Sequence, residues 1–371
     1  MPDVVVIGAG LAGLSVAAEL ATDTEVRIIE MESTPARHAS GRSAALFIPT
    51  YGPATIRRLT AASREWFASA GAGHSDVELL TARPVLFAAD SAHIGDLDQL
   101  IAEVEDAEGK LVRLDRQAVC DLCPAIRPDW VVAGAVDQEA HDLDVSATVD
   151  AFRRILTRHG GVIDTSRRVV GLARTDGGWT VGTTAGTTTC DIVVNAAGAW
   201  VDEVATLAGL APLGFEPRRR TLAVARPVEG VDPGPAFVAH AGEHFYFGAE
   251  AGGVLFSPAD ETPSMPCDAK PDELDIAAAI DGINAATRFG LRSVSAAWAG
   301  LRTFGPDGSI VVGPDPSEAT FIWCGGQGGY GVQTAPAAGR AAAALTRGQP
   351  LPPDLIATGL TTGALGPARF A

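Results

Sequence analysis

The sequence predicts an α/β fold in which a Rossmann-type nucleotide-binding domain is interleaved with a second lobe built on a mixed or antiparallel sheet. Three observations predict it. A buried strand, a glycine-rich turn, a helix and a strand ending in an acid occupy the stretch from Val4 to Glu30. Short β-rich segments separated by glycine turns fill residues 215–256, and another strand, glycine-rich turn and helix run from Phe321 to about Leu345.

Composition narrows the class of partner. The chain has 371 residues, of which 47% are hydrophobic, so it can bury a large core and divide into two lobes. A net charge of −17 argues against nucleic acid or an anionic membrane as a partner, because such binding depends on Lys and Arg. A small-molecule ligand is favoured. The pattern does not indicate an oligomeric state.

The sequence also predicts where the protein is located in the cell. No run approaches the roughly eighteen apolar residues of a membrane-spanning helix, so we expect no integral membrane segment. A core strand that begins at Val4 leaves no space for a cleavable leader, and we expect a cytoplasmic protein. The five cysteines are odd in number and scattered, unlike a disulfide framework. Cys120 and Cys123 form a lone CxxC, which we interpret as structural, and no metal site is predicted.

The N-terminal turn, Gly8-Ala9-Gly10-Leu11-Ala12-Gly13, has the chemistry of a dinucleotide site. Gly8 permits a tight turn, Gly10 lets backbone approach a pyrophosphate, and Gly13 lets the helix pack closely on the strand. The phosphates then lie at a helix N-terminus, where free N–H groups and the helix dipole favour negative charge. Glu30, about twenty residues later, can accept hydrogen bonds from a ribose.

The remaining pattern gives an order of elements and a division into domains. We assign residues 1–50, 140–212 and 300–371 to the nucleotide-binding domain, and residues 51–139 and 213–299 to the substrate-binding domain. Pro271 is predicted to open a helix that runs through Phe289, as proline does at a first helical position. The chain after the last predicted helix is expected to be a loose tail.

The late glycine-rich turn, Gly325 to Gly331, formally contains a second GxGxxG motif. We do not assign it to a second dinucleotide such as NADPH, because prolines follow where the next strand and its acid should be. Instead, this helix N-terminus is expected to direct its dipole at an electron-rich ring carried by the first dinucleotide. One extended cofactor of the length of FAD fits the three segments.

Five motifs, in order over nearly the whole chain, carry a family resemblance. They are Gly8 to Gly13, Gly41-Arg42-Ser43-Ala44-Ala45, Asn195-Ala196-Ala197-Gly198-Ala199-Trp200, Ala299-Gly300-Leu301-Arg302-Thr303-Phe304 and Gly325 to Gln333. With them the chain resembles the FAD-dependent D-amino acid oxidase/glycine oxidase superfamily, and within it the D-arginine dehydrogenase-like enzymes. The resemblance implies non-covalent FAD and oxidation of a carbon–nitrogen bond next to a carboxylate. Hydride would pass to flavin N5, and water would hydrolyse the resulting imine to keto acid or glyoxylate plus amine or ammonia.

The resemblance also implies the residues of the site. The implied cofactor-binding residues are Gly8, Gly10, Leu11, Ala12, Gly13, Glu30, Met31, Arg42, Ser43, Ala44, Ala45, Val169, Ala197, Gly198, Trp200, Gly328, Gly329, Tyr330, Gly331, Val332 and Gln333. The implied substrate-side residues are Arg219, Tyr246, Arg302, Tyr51, Leu46 and Gly329.

Residue chemistry bears on these assignments independently. Arg218-Arg219-Arg220 lies on a predicted strand, so alternation directs Arg219 away from its two neighbours, and we expect it to point inward. Without the resemblance, a salt-bridged surface strand would be the better interpretation. An inward guanidinium needs an anion, and a substrate carboxylate matches arginine bidentately. Arg302 is expected to bind the same carboxylate, with Arg42 near the diphosphate.

Two departures from the relatives argue against a cationic substrate. Leu46 stands where the D-arginine enzymes have a histidine, and no carboxylate is evident near Arg83 to Leu86. An apolar D-amino acid or an N-substituted glycine therefore fits better, because a buried cation needs a paired charge. We expect His141, His240 and His244 to be non-catalytic.

Two alternatives stay open at this stage. A flavin monooxygenase or halogenase shares the N-terminal pattern but carries a late Gly-Asp motif that is missing here, and NADPH-driven flavin reduction would favour it. A catalytically silent nucleotide-binding subunit is the other alternative.

Overall fold

The structure is a computed structural model that describes residues 3–69, 74–104, 110–250 and 252–370. Its strands are Val4–Ile7 (β1), Val26–Ile29 (β2), Leu46–Phe47 (β3), Leu80–Ala82 (β4), Val85–Ala89 (β5), Leu111–Asp115 (β6), Ala133–Asp137 (β7), His141–Leu143 (β8), Val162–Asp164 (β9), Val169–Thr175 (β10), Gly178–Thr183 (β11), Gly186–Cys190 (β12), Ile192–Asn195 (β13), Glu216–Ala225 (β14), Phe237–His240 (β15), Tyr246–Glu250 (β16), Gly253–Ser257 (β17), Val294–Phe304 (β18), Val311–Pro314 (β19) and Phe321–Gly325 (β20). Its α-helices are Leu11–Leu20 (α1), Ala54–Ser69 (α2), Ile94–Glu103 (α3), Arg116–Leu122 (α4), Val145–Arg158 (α5), Val201–Leu207 (α6), Glu273–Ala286 (α7), Gly331–Thr346 (α8), Pro353–Ala357 (α9) and Thr362–Leu365 (α10).

A six-stranded sheet carries the N-terminal motif. Its order is β19-β20-β13-β1-β2-β9, and every neighbouring pair is parallel except β19 with β20. Strand β1 lies at the centre and is wholly buried, which explains its continuous apolar run. Strands β1, β13 and β20 each lead into a small-residue turn at the same edge of the sheet. Ligands of open α/β sheets bind at such an edge.

An eight-stranded sheet forms the second layer, in the order β18-β14-β17-β16-β15-β5-β7-β6. The predicted antiparallel meander is present as β14, β17, β16 and β15, while β15 pairs with β5 in parallel, so the sheet is mixed. Strands β14 and β18 pair from Glu216 with Phe304 to Ala225 with Val294. Two smaller three-stranded sheets complete the fold, β10-β11-β12 and β3-β8-β4.

The chain passes between these layers more than once. The six-stranded sheet takes strands from residues 4–29, 162–195 and 311–325, and the eight-stranded sheet takes strands from residues 85–137, 216–257 and 294–304. This interleaving is the predicted mixed α/β architecture. The domain boundaries given above remain a prediction. Among the described residues, none of the helices combines the length and apolarity needed to cross a lipid bilayer.

Two local predictions were wrong. The helix expected to open at Pro271 begins at Glu273, because Asp272 caps it by accepting the Leu274 N–H. It also ends at Ala286 rather than Phe289. The expected loose tail contains α9 and α10, and Leu355 and Leu365 in these helices are fully buried. Prolines interrupt this C-terminal segment, so it has no long periodic run of apolar residues that would predict a helix. Its separate apolar side chains nevertheless pack onto the core.

Helix α5 offers a modest test of the local structure. The Asp144 carboxylate accepts the Ala147 N–H at 2.8 Å and so caps the helix N-terminus. Asp144→Ala is expected to lower the free energy of unfolding by about 1 kcal/mol, since the first-turn N–H group loses its partner. Urea denaturation of the flavin-loaded protein measures this. The control, Asp150→Ala, removes an exposed carboxylate from the same helix, and an equal loss in both variants would contradict the capping role.

Candidate active site

Three adjoining cavities follow the edge at which β1, β13 and β20 end. Predicted residues that line the first cavity are Gly8, Gly10, Glu30, Met31, Arg42, Val169, Ala197, Gly198 and Trp200. Those that line the middle cavity are Gly10, Leu11, Ala12, Arg42, Ser43, Ala44, Gly328, Gly329, Gly331 and Val332, together with Tyr246 and Arg302. Those that line the third cavity are Ser43, Ala44, Ala45, Leu46, Tyr51, Tyr246, Arg302, Gly329, Val332 and Gln333. Because neighbouring cavities share residues, they form one elongated site.

The N-terminal glycines divide into two roles. A Cβ on Gly13 would lie 1.9 Å from the Gly8 carbonyl oxygen, and one on Gly8 would lie 2.6 Å from the Ala196 carbonyl oxygen. Gly8 also has a φ of +101°, which side chains rarely adopt. A Cβ on Gly10 would meet only Ser40 Oγ, at 3.3 Å, within 4 Å. Gly8 and Gly13 therefore serve protein packing, whereas Gly10 leaves space for a ligand.

Glu30 is buried beside the first cavity and is held by two backbone donors. Its Oε2 accepts the Ala9 N–H at 2.6 Å, and its Oε1 accepts the Glu32 N–H at 2.8 Å. A carboxylate has about four acceptor positions, so Glu30 keeps capacity for two further hydrogen bonds. Both oxygens are therefore fixed in place for hydroxyl donors in the first cavity.

The late glycine turn is attached to strand β18. The Gly328 N–H donates to the Thr303 carbonyl at 2.8 Å, and Gln327 forms an isolated β-bridge with Phe304. A Cβ on Gly329 would lie 2.8 Å from Arg302 Nη1, so the guanidinium packs against this glycine. Helix α8 begins at Gly331, which lines the middle cavity. The positive end of a long helix is thus directed at that cavity.

The loop before β3 lies opposite this turn. Ala45 has a φ of +40°, unusual for a residue with a side chain, and its N–H donates to Ser43 Oγ at 3.0 Å. The Ala45 carbonyl accepts the Leu143 N–H at 2.9 Å. Strained backbone that neighbouring hydrogen bonds hold in place often lies at a ligand site.

Three arginines share one face of the β14–β18 pair, and two of them, Arg220 and Arg302, line the third cavity. Arg302 lies directly opposite Arg218, and Arg220 lies two residues further along β14. Arg220 donates to Glu261 at 2.9 Å and to the Asp260 carbonyl at 2.8 Å, so its charge is already compensated. Within the described residues, Arg302 has no acidic group within salt-bridge distance. Burial acts to lower the pKa of Arg302, but the Tyr51 and Tyr246 oxygens and the Glu261 carboxylate raise it above its ordinary value.

The prediction for Arg219 was wrong. Its guanidinium donates to Asp260 at 3.0 Å and to Asp275 of α7 at 2.5 Å, and it lines neither the middle nor the third cavity. Helix α7 covers the face of the sheet to which Arg219 points, and this is the physical reason. Arg220 holds the inward position instead. Alternation was applied correctly along β14, but the sequence does not show which face α7 covers.

Two of the three tyrosines line the cavities. Tyr246 lines the middle and third cavities, and its hydroxyl is buried with no hydrogen-bond partner in the structure. Tyr51 lines the third cavity and contacts Arg302 through its hydroxyl. The Arg220 guanidinium stacks over the Tyr246 ring, 5.8 Å from its centroid. An orphaned buried hydroxyl beside an uncompensated guanidinium is suited to an anionic ligand group.

The rest of the third cavity is mostly apolar. Besides Leu46, the apolar side chains that line it are Ile48, Val85, Phe87, Leu100, Phe237 and Phe245. Glu243, at the tip of the β15–β16 hairpin, also lines this cavity but is exposed, so its charge stays hydrated. Near Arg83, where no carboxylate was predicted, Asp142 forms an ion pair at 3.1 Å, outside the cavity lining.

A comparison with protein families decides the class. The model of the family described as FAD dependent oxidoreductase (DAO) matches residues 3–345. The chain belongs to this family. The predicted resemblance is thereby confirmed, as are the fold class and the expectation of FAD as cofactor.

Solved structures agree on the fold of this flavoenzyme. L-proline dehydrogenase from P. horikoshii is similar with a TM-score of 0.84 and 20% identity, over 99% of this chain and 97% of that one. Glycine oxidase from Geobacillus kaustophilus is similar with a TM-score of 0.80 and 20% identity, over 94% and 95%. L-α-glycerophosphate oxidase from Mycoplasma pneumoniae, solved with FAD bound, has a TM-score of 0.81 and 18% identity, over 93% and 94%.

The residues present fit FAD. The continuous cavities run from Glu30 at one end, past the N-terminus of α1, to the N-terminus of α8. Gly10 leaves open space where the two cavities meet, as a pyrophosphate would require. The flavoenzyme thus offers acceptors for a ribose, a helix end for phosphates and a second helix end for the ring.

Arg42 differs from its expected role. It lines the first and middle cavities, but its guanidinium donates to Asp268 at 2.6 Å and to the Ala299 carbonyl at 2.8 Å. The side chain therefore fastens residues 268–269 and β18 beside the FAD site instead of offering a free charge to the diphosphate. The sequence could not show this, because Asp268 is 226 residues away.

Three other predicted cofactor residues lie behind the cavity surface or support it. Gly13 packs on Gly8 and lines none of the three cavities. Tyr330 is absent from their lining and packs on Tyr51, with ring centroids 5.0 Å apart. Gln333 lines the third cavity, where its amide oxygen accepts from the Ile48 N–H and its amide nitrogen donates to Thr60 Oγ1.

Sequence reasoning missed several residues of the site. Ser40 accepts the Leu11 N–H at 3.0 Å at the start of α1, and the His38 ring packs at a tilt on Trp200 in the first cavity, with ring centroids 5.0 Å apart. Arg220 and Glu243 were missed in the third cavity. The arginine triplet held a usable signal for Arg220, whereas no local pattern marked Ser40 or Glu243.

Proposed function

We propose that this flavoenzyme oxidises the carbon–nitrogen bond of an apolar α-amino acid or an N-substituted glycine. The observation that carries the proposal is the pairing of the uncompensated Arg302 guanidinium with the orphaned Tyr246 hydroxyl above an apolar cavity. An apolar D-amino acid remains the expected amino-acid substrate, and both enantiomers are tested. The bound flavin supplies the acceptor for a hydride.

The residues of the chain bind and orient the substrate. Arg302 would hold the carboxylate bidentately, and the Tyr246 hydroxyl would donate a third hydrogen bond to it. Gly329 packs beside Arg302, and its carbonyl would accept from the amine. The apolar wall from Leu46 to Phe237 would take the substrate side chain and exclude water.

The charges of the cavity also favour the reactive form of the amine. Hydride can leave the carbon next to nitrogen only when the nitrogen lone pair is free. Arg302 lines the cavity and lacks an acidic partner among the described residues, and like charge disfavours an ammonium ion beside it. Arg220 adds little to this effect, because Glu261 compensates its charge. The substrate amine is therefore expected to lose its proton on binding without a dedicated side-chain base.

Tyr246→Phe tests the hydrogen bond to the carboxylate. We expect kcat/KM to fall about tenfold, through KM, because one hydrogen bond to a charged group is lost. The melting temperature should stay the same or rise, since the hydroxyl has no partner in the folded protein. A large loss of thermal stability with unchanged KM would instead indicate a structural role for this hydroxyl.

Anaerobic mixing tests the proposed function itself. The flavin-loaded protein is mixed with both enantiomers of apolar amino acids, with N-alkyl glycines, with D-arginine and with glycerol 3-phosphate, and the visible flavin absorbance is followed. We expect rapid bleaching by the apolar amino acids or the N-alkyl glycines only. The proposal would be refuted if the flavin stays oxidised with every amino acid and N-alkyl glycine. It would also be refuted if D-arginine or glycerol 3-phosphate bleaches the flavin fastest.

A further inference from the structure

Three histidines meet at the outer wall of the third cavity. His93 precedes α3, His240 ends β15, and His244 lies in the turn before β16. Their ring centroids are 4.6 to 4.8 Å apart, and one ring nitrogen of each lies within 4.8 Å of the others. The proposed oxidation uses none of these nitrogens. Their convergence therefore calls for a separate role.

Asp90 holds the first of the three rings. Its Oδ1 lies 2.7 Å from His93 Nδ1 and also accepts the backbone N–H groups of Ala92 and His93. Its Oδ2 lies 3.8 Å from His240 Nε2. A carboxylate on one ring nitrogen fixes the tautomer that leaves the other nitrogen, here His93 Nε2, free to bind a metal.

The other two rings differ in their freedom. His240 is buried, and its ring lies 4.6 Å from that of His93 and 4.8 Å from that of His244, centroid to centroid. The Gly242 N–H donates to His240 Nδ1 at 3.0 Å. Coordination through Nε2 would move the ring proton to Nδ1 and break this bond, which weakens affinity by about tenfold. His244 is exposed and can rotate towards the other rings.

We propose that His93, His240 and His244 bind one divalent transition-metal ion of the Zn²⁺ class, with Asp90 as a positioning residue. Imidazole nitrogens favour Zn²⁺, Cu²⁺ and Ni²⁺, whereas Mg²⁺ and Ca²⁺ require oxygen ligands. Bonds of about 2.0 Å to a tetrahedral ion separate nitrogens by roughly 3.3 Å, and the three ring nitrogens lie within 4.8 Å of one another. The ion would therefore fix the β15–β16 hairpin to the loop that holds His93.

One consequence rests on the proposed function. His240 and Tyr246 lie on the two strands of that hairpin and line the third cavity. Fixing the hairpin is expected to change KM for the amino acid substrate and to leave the visible spectrum of the flavin unaltered. The proposal of a metal site does not depend on this effect on KM.

Calorimetric titration tests the site directly. The flavin-loaded full chain is freed of metal with a chelator, the chelator is removed, and Zn²⁺ is titrated in, followed separately by Mg²⁺. We expect one Zn²⁺ per chain with a Kd of about 1 μM or tighter, and no heat from Mg²⁺. His244→Ala should weaken binding at least thirtyfold, and Asp90→Asn about tenfold or more. His159→Ala, at the exposed end of α5, is the matched control and should bind as the unaltered chain does.

Binding, not turnover, decides the outcome, so failure of the proposed oxidation would leave this test intact. His244 is exposed, and its replacement leaves the buried core unchanged, which keeps the folded variant available for titration. Equal Zn²⁺ affinity in His244→Ala and His159→Ala, or the absence of a site tighter than about 1 mM in the unaltered chain, would overturn the proposal.

Discussion

Arg302→Ala is expected to lower kcat/KM for the best amino acid substrate about a thousandfold, with FAD still bound. The guanidinium has no acidic partner within salt-bridge distance in the described chain, and it lines both the middle and third cavities. Losing a desolvated, hydrogen-bonded charge pair costs about 4 kcal/mol, which corresponds to that factor. Steady-state kinetics with the substrate identified by anaerobic bleaching measures it.

The chain supplies a matched control on the neighbouring strand. Arg219→Ala removes the same side chain from the opposite face of β14, where it contacts Asp260 and Asp275. It should change kcat/KM less than threefold, although stability falls. Equal losses of kcat/KM in the two variants would show that Arg302 acts through the fold rather than through the substrate carboxylate.

Gly10→Ala is expected to weaken FAD affinity about a hundredfold while the protein keeps its fold. The backbone of Gly10 has a φ of −72°, which alanine adopts without strain. The new Cβ would meet only Ser40 Oγ within 4 Å of protein, so it would project into the space assigned to the pyrophosphate. Fluorescence titration of the deflavinated protein with FAD gives the affinity.

Gly95→Ala is the control for this variant. A Cβ at Gly95 meets nothing within 4 Å, and the residue lies in α3, away from the cofactor cavities. It should leave FAD affinity unchanged. If Gly10→Ala also binds FAD normally, the pyrophosphate does not pass over this glycine and the placement of the cofactor fails.

The cofactor end of the molecule was predictable because local sequence determines it. Three features lie within thirty residues of sequence. They are a wholly buried strand, a turn in which a Cβ would clash at two glycine positions, and an acid at the end of the next strand. Each feature follows from backbone geometry that neighbouring residues set. The same holds for the late glycine turn, whose helix begins at the expected place.

The substrate end was less predictable because long-range packing determines it. The choice between Arg219 and Arg220 depends on α7, which begins more than fifty residues later and covers one face of β14. The engagement of Arg42 by Asp268 is of the same kind. Alternation in a strand shows which residues share a face, but only the packed sheet shows where that face points.

A crystal structure of the flavin-loaded protein with an apolar carboxylate that lacks the amine, such as 3-methylbutanoate, tests the central claim most directly. We expect the flavin ring in the middle cavity, the carboxylate within about 3 Å of Arg302 and Tyr246, and the alkyl group against Val85 and Phe237. A carboxylate bound away from Arg302, or a ring that lies outside the middle cavity, would contradict it.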